Sequence, residues 1–206
     1  NGAGGNGILL AGSLTANNVA SGNSIAMTGD DSHGILLQTG ATGNTVSGND
    51  VVTDGDRSMG IWLKDATDNA VTGNGVVTNG WASSGIRLST ASNNTVGSND
   101  VTTYGDAGHG ITMILTSTGN TVSGNNIAAN FTNAYGVIVS GSSSNTIDDN
   151  VIATGTAGTA GIWLIDSLSA GVDWNTGVGN SYTGPGSDCT VDASVTGTNN
   201  SIDLCP

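Results

Sequence analysis

The sequence predicts an all-β solenoid of about eight coils with ~25 residues in each, and three observations predict it. Gly, Asn, Thr and Ser number 34, 24, 27 and 23 of the 206 residues, more than half the chain, and these are poor helix formers. Turn residues sit in evenly spaced clusters between short aliphatic alternations, the arrangement of strands joined by turns rather than of a disordered chain. Two phrases also recur with a constant period. A chain of this length supports one continuous core.

The first phrase is Gly followed by three residues, of which the first and third are aliphatic. It begins at Gly7, Gly34, Gly60, Gly85, Gly110, Gly136 and Gly161, with spacings of 27, 26, 25, 25, 26 and 25. The second is headed by Asn18, Asn44, Asn69, Asn94, Asn120, Asn145, Asn175 and Asn200. Each carries another Asn five residues on, at Asn23, Asn49, Asn74, Asn99, Asn125, Asn150 and Asn180, and at the eighth copy that step lands on Cys205. A repeat this short has no room for two helices, but it holds three strands and three turns. Side chains alternate along each strand. Ile35, Ile61, Ile86 and Ile111 then form one inner ladder, Leu37, Leu63, Leu88 and Met113 the next, and Val46, Val71, Val96 and Val122 another wall. Residues 1–187 are read as the coils, and 188–206 as a last coil of the same domain, closed by a Cys189–Cys205 disulfide.

These repeats resemble the parallel β-helix of the pectin-lyase-like superfamily, in particular NosD-type repeats, whose signature is close to N-T-I-x-x-N-x-I. The resemblance covers Gly7 to Ile202 and implies a right-handed, single-stranded parallel β-helix. It also implies that Asn49, Asn74, Asn99, Asn125 and Asn150 stack as a hydrogen-bonded ladder. Function does not follow from it, since the superfamily includes lyases, hydrolases, epimerases, adhesins and structural proteins.

Charge narrows the partners. The net charge is −13, every one of the 16 acids is Asp, and Arg57, Lys64 and Arg87 are the only fixed cations. Nothing neutralises nucleic-acid phosphates or holds an anionic membrane surface, and no apolar run of about 18 residues exists to span a bilayer. The paired cysteines and the start at Asn1 read as an exported, extracellular or cell-surface chain.

The outward residues of the Gly phrase include Leu9, Leu36, Trp62, Ile138 and Trp163, an apolar stripe expected to meet another surface. With no capping segment before the first coil, the leading expectation is a structural subunit that self-assembles into a filament or sheath through this stripe and an open strand edge. The alternative is a polysaccharide-binding or polysaccharide-degrading protein that uses the tryptophans as a sugar platform. A second alternative is an ice-binding face built from the outward Thr45, Thr95, Thr121, Thr146 and Thr176.

Catalysis is not assigned. Asp30, Asp56 and His109 are the candidates, the last within a GHG like that of polygalacturonases. However, His33 and His109 hold one repeat position three coils apart, about 14 Å, and Trp81 interrupts the column of Asp30, Asp56 and Asp106. Arg57 neighbours these acids, whereas Arg87 and Lys64 lie on another segment. No cofactor is expected apart from Ca2+, for which Asp30, Asp31 and Asp56 are the candidate ligands; turn capping is the plainer role for these acids. Sequons occur at Asn93, Asn130 and Asn199.

Overall fold

The computed structural model describes residues 3–156, 159–166, 172–192, 195, 199–203 and 205. These form an all-β solenoid of three parallel sheets, with no helix among the described residues. Each coil visits the sheets in turn. The first sheet runs from Asn6–Ala11 through His33–Gln38, Ile61–Lys64, Ile86–Ser89, Ile111–Ile114, Val137–Ser140 and Ala160–Ile165 to Ser187–Val191. The second has eight strands, from Val19–Ser21 to Ser201–Ile202, and the third has seven, from Ser24–Met27 to Ser181–Thr183. Seven turns link the strands of the first sheet, in the register Ile8, Ile35, Ile61, Ile86, Ile111, Val137, Ile162 and Cys189. The eighth strand of that sheet has no Gly-Ile phrase. Cys189 takes the inward place there, and it is joined to Cys205 in a disulfide.

The core consists of the aliphatic ladders. Ile35, Leu37, Ile61, Leu63, Ile86, Leu88, Ile111 and Ile162 are fully buried, as are Val46, Val71, Val96, Val122 and Ile147 on the facing sheet. Each such side chain contributes on the order of 2 kcal/mol through burial. The glycine that opens each phrase is needed for space. A Cβ on Gly110 would collide with the Ile127 side chain and lie 2.5 Å from the Gly136 carbonyl oxygen, and Gly34, Gly60 and Gly136 meet the same obstruction.

The asparagines close two corners of every coil. In each ladder the side-chain amide donates to Oδ1 of the next asparagine, which also accepts that residue's backbone N–H. Asn49, Asn74, Asn99, Asn125 and Asn150 are linked in this way at 2.9–3.0 Å. The second amide hydrogen goes to a carbonyl inside the coil, as from Asn99 to Val71. Every buried polar atom of the corner is thereby paired. At the eighth step the ladder ends on Asp203, not Cys205: the Asp203 carboxylate accepts from Asn180 N and Nδ2, both at 3.0 Å. The chain turns early after the two-residue strand Ser201–Ile202, with Cys205 N bonded to the Ile202 carbonyl, and this carries Cys205 to Cys189.

The apolar stripe differs from expectation. Leu36 and Ile138 are buried, Trp62 and Trp163 are half-buried, and Leu9 remains 49% exposed. The turns entering the first sheet fold over this face and set ring side chains against it. His33 lies edge-on to Trp62 at 4.8 Å, and Tyr135 stacks on Trp163 at 4.4 Å.

Candidate ligand groove

Those turns are held down by side chains that repeat between coils. Thr53, Thr78 and Thr103 are buried and donate from their hydroxyls to the carbonyls of Ser58, Ser83 and Gly108. Ser58 and Ser83 extend the hold between coils: Ser32 N donates to Ser58 Oγ, and Ser58 N to Ser83 Oγ, both at 3.0 Å. One residue of each turn adopts the left-handed conformation, namely Asp31, Arg57, Ala82, Ala107 and Asn133 with φ of 50–55°. The first four of these line hollows beside the strand face.

Two hollows form one groove. The first, about 330 Å³, is bounded by Asp31, His33, Arg57, Trp62, Trp81 and Arg87. The second, about 250 Å³, is bounded by Ser84, Arg87, His109, Thr112, Ile114 and Ile138. Arg87 and Ala82 belong to both. The groove thus crosses five coils, about 20 Å at the strand spacing.

Arg57 and Arg87 border it, and Lys64 lies beside Trp62, which lines the first hollow. Lys64 Nζ and the Arg87 guanidinium carbon each lie 5.3 Å from the Trp62 ring centroid, within cation–π range. Arg57 pairs with Asp31 through two hydrogen bonds of 2.9 Å, an exposed pair that contributes little to stability. That bond holds the Asp31 carboxyl below its ordinary value. Arg87 is half-buried and its Nε donates to Ser89 Oγ at 3.2 Å; burial makes its charged form less favourable than usual. Arg57 lies on a turn, and Lys64 and Arg87 on strands of the first sheet, yet Arg57 and Arg87 border one hollow. The turn leans over the strand face, so residues distant in the repeat share one wall.

Both imidazoles are neutral at pH 7. Burial pushes His33 down, with Arg87 and Lys64 adding to the effect against Asp31. Burial and Arg87 push His109 down to about 4. Nδ1 of each ring accepts a backbone N–H, from Met59 at 3.1 Å and Tyr135 at 3.3 Å. The ring proton therefore sits on Nε2.

The candidate acids lie elsewhere. Asp30 Oδ1 accepts Asp56 N at 3.0 Å, and Asp56 Oδ1 accepts Trp81 N at 2.8 Å, so each caps the next turn. Neither borders a hollow, and His109 does so without a carboxylate beside it. Among the described residues no three of His, Cys, Asp or Glu gather to hold a metal ion. The outward threonines fall in register on the second sheet, Thr95 beside Thr121, Thr146 and Thr176. Asn93, Asn130 and Asn199 are exposed. The serine anchors and the hollow around Thr112 were missed by sequence reasoning; the recurring Ser32, Ser58 and Ser83 were a signal for the former.

Two family models match the chain: "Right handed beta helix region" over residues 1–127 and "Periplasmic copper-binding protein (NosD)" over residues 82–202. No curated protein sequence matches. Among solved structures, a point mutant of the periplasmic alginate epimerase AlgG aligns with a TM-score of 0.67 at 20% identity, covering 89% of this chain and 46% of that one. The Dettilon tailspike protein aligns with a TM-score of 0.52 at 14% identity, covering 98% and 55%. The enzymatically active domain of bacteriophage CBA120 tailspike protein 2 aligns with a TM-score of 0.53 at 14% identity, covering 84% and 33%. The chain thus spans about half or less of the length of these structures, and at such identity the likeness is one of fold. With each family model covering more than half of the sequence, the chain belongs to the right-handed beta helix family and carries the NosD repeat.

Proposed function

We propose that the groove binds a polysaccharide. The observation that carries this reading is that two of the three cations of a −13 chain, Lys64 and Arg87, lie against the Trp62 ring, in a groove that Arg57 and Trp81 also border. Half-exposed indole faces cover the apolar faces of sugar rings, and the surrounding donors fix hydroxyl and acidic groups. Likeness in fold to an alginate epimerase supports this choice of ligand over a protein partner. Of the stripe behind the filament reading, Trp62 and Ile138 border the groove, and Leu36 and Ile138 are already buried within the chain. Binding without catalysis is the reading adopted, since Asp30 and Asp56 are engaged in turns. The disulfide accords with a location outside the cytoplasm.

The NosD description names copper, and the donor set here does not fit that ion. Both described cysteines are in the disulfide, and the two imidazoles lie three coils apart with their Nδ1 atoms taken by backbone hydrogens. Calcium at Asp30, Asp31 and Asp56 is not supported either, since these three do not gather into a site and Asp30 and Asp56 accept backbone N–H groups. It would have to displace Arg57 from Asp31.

Titration of the protein with acidic and neutral polysaccharides, read by tryptophan fluorescence and calorimetry, tests the groove. Trp62→Ala and Trp81→Ala are each expected to weaken binding about tenfold or more, the loss of one stacked ring. Absence of binding across the panel, or binding indifferent to both substitutions, would overturn the reading.

A further inference from the structure

The second hollow has a chemistry distinct from the tryptophan platform. Sixteen aspartates are present in the chain, yet none pairs with Arg87 among the described residues, where the only ion pair is Arg57–Asp31. A half-buried guanidinium with one hydrogen-bond partner, Ser89 Oγ, and an indole ring beside it retains N–H donors for something else. Thr112, the register neighbour of Arg87, presents a second anomaly: its hydroxyl is buried and has no hydrogen-bond partner. A buried hydroxyl left unpaired costs about 1–3 kcal/mol. His109 adds a third donor, because its Nδ1 is occupied and its Nε2 carries the proton. No carboxylate borders the hollow, and its remaining walls include the small Ala82 and Ala107 and the apolar Ile114 and Ile138.

We infer that the hollow bounded by Arg87, His109 and Thr112 is an anion subsite that takes the carboxylate of an acidic sugar. The inference rests on the polysaccharide reading of the groove and adds to it the class of sugar and the place where its charge sits. The planar guanidinium fork matches a planar carboxylate, and the Thr112 hydroxyl, sealed from solvent in the free protein, acquires the partner it lacks when a χ1 rotation turns it into the hollow. The neutral imidazole then serves as a hydrogen-bond donor. The pyranose ring attached to the carboxylate lies towards Trp62, across the wall that the two hollows share.

The test uses three oligosaccharides of equal length with the intact protein: an oligouronate, the same oligomer with its carboxylates reduced to alcohols, and a sulfated neutral oligomer. Calorimetry is expected to show the oligouronate binding at least about tenfold more tightly than its reduced form, as befits a charge-assisted contact. Thr112→Val keeps the shape and removes the hydroxyl. It is expected to weaken oligouronate binding about three- to tenfold, to leave the reduced oligomer unaffected, and to hold or raise the melting temperature. Arg87→Met is expected to abolish the preference for the acid. If that variant fails to fold, Thr112→Val still decides.

Equal affinity for the oligouronate and its reduced form would overturn the subsite and leave the groove standing. So would a preference for the acid that survives Thr112→Val. Preference for the sulfated oligomer over the oligouronate would overturn the carboxylate assignment. Binding of none of the three would overturn the subsite together with the groove.

Discussion

The asparagine corner and the groove are built on the same repeat and use it in opposite ways. At the corner, Asn44, Asn69, Asn94, Asn120, Asn145 and Asn175 present one residue in successive coils, all buried and amide-to-amide bonded. Across the groove, one strand position passes through Leu36, Trp62, Arg87, Thr112, Ile138 and Trp163. Identity satisfies a stack, because each amide meets a partner of the same shape one strand spacing away. Difference produces a surface that varies along the axis, and a chain ligand needs such variation to settle in one register. Unsatisfied donors collect on the second surface and are absent from the first.

The contrast breaks or sharpens most at the ladder itself. Asn99→Asp removes the hydrogens that serve Val71 O and Asn125 Oδ1 and buries a charge. A loss of about 4 kcal/mol or more is expected in denaturant midpoints. At the ladder's last step an aspartate is native, so Asp203→Asn is expected to change stability by less than about 1 kcal/mol. Equal costs at the two positions would show that the ladder is not directional.

Reduction of Cys189–Cys205, which spans 16 residues, is expected to remove about 3 kcal/mol. Hydrogen exchange should show the loss first in Ser187–Val191 and leave Ile86–Ser89 protected.

On the groove side the sign of the pH effect follows from His109. Its folded value of about 4 lies below the ordinary 6.5, so the unfolded chain takes up a proton first as pH falls. The contribution of His109 is intact above pH 6.5 and is lost as pH falls towards 4, by about 2 kcal/mol at pH 5. His109→Gln should flatten that part of the acid melting profile.

The smallest effect concerns Ala107, whose φ of 53° is disfavoured for a residue with a Cβ. Ala107→Gly is expected to raise stability by about 0.5 kcal/mol in thermal melts. Widening the groove there should leave the asparagine corner untouched.

The fold was legible because it repeats. A 25-residue period, alternating aliphatics and paired asparagines each report a constraint that every coil meets again, so Ile61 and Asn74 are readable from Ile86 and Asn99. The groove was legible only in part. Trp62, Trp163 and His109 stood out as residues, but their burial and company depend on turns folding over the strand face, and no period announces that. Leu36 and Ile138 were expected on an open stripe for the same reason. Thr112 carried no signal at all, since an outward threonine is ordinary in a strand, and only the neighbours around its hydroxyl make it unusual.

By itself, then, the sequence determined the solenoid, its inner ladders, its asparagine corners and the Cys189–Cys205 pairing, because local spacing and identical neighbours suffice to specify a parallel stack. Tertiary structure alone decided that Lys64 and Arg87 meet at one indole with Arg57 on the wall of the same hollow, that the acids Asp30 and Asp56 cap turns without lining either hollow, and that Asp203 ends the ladder. These depend on which way a turn leans and where a strand stops. Both are settled by packing between coils at distances that one coil's sequence does not encode.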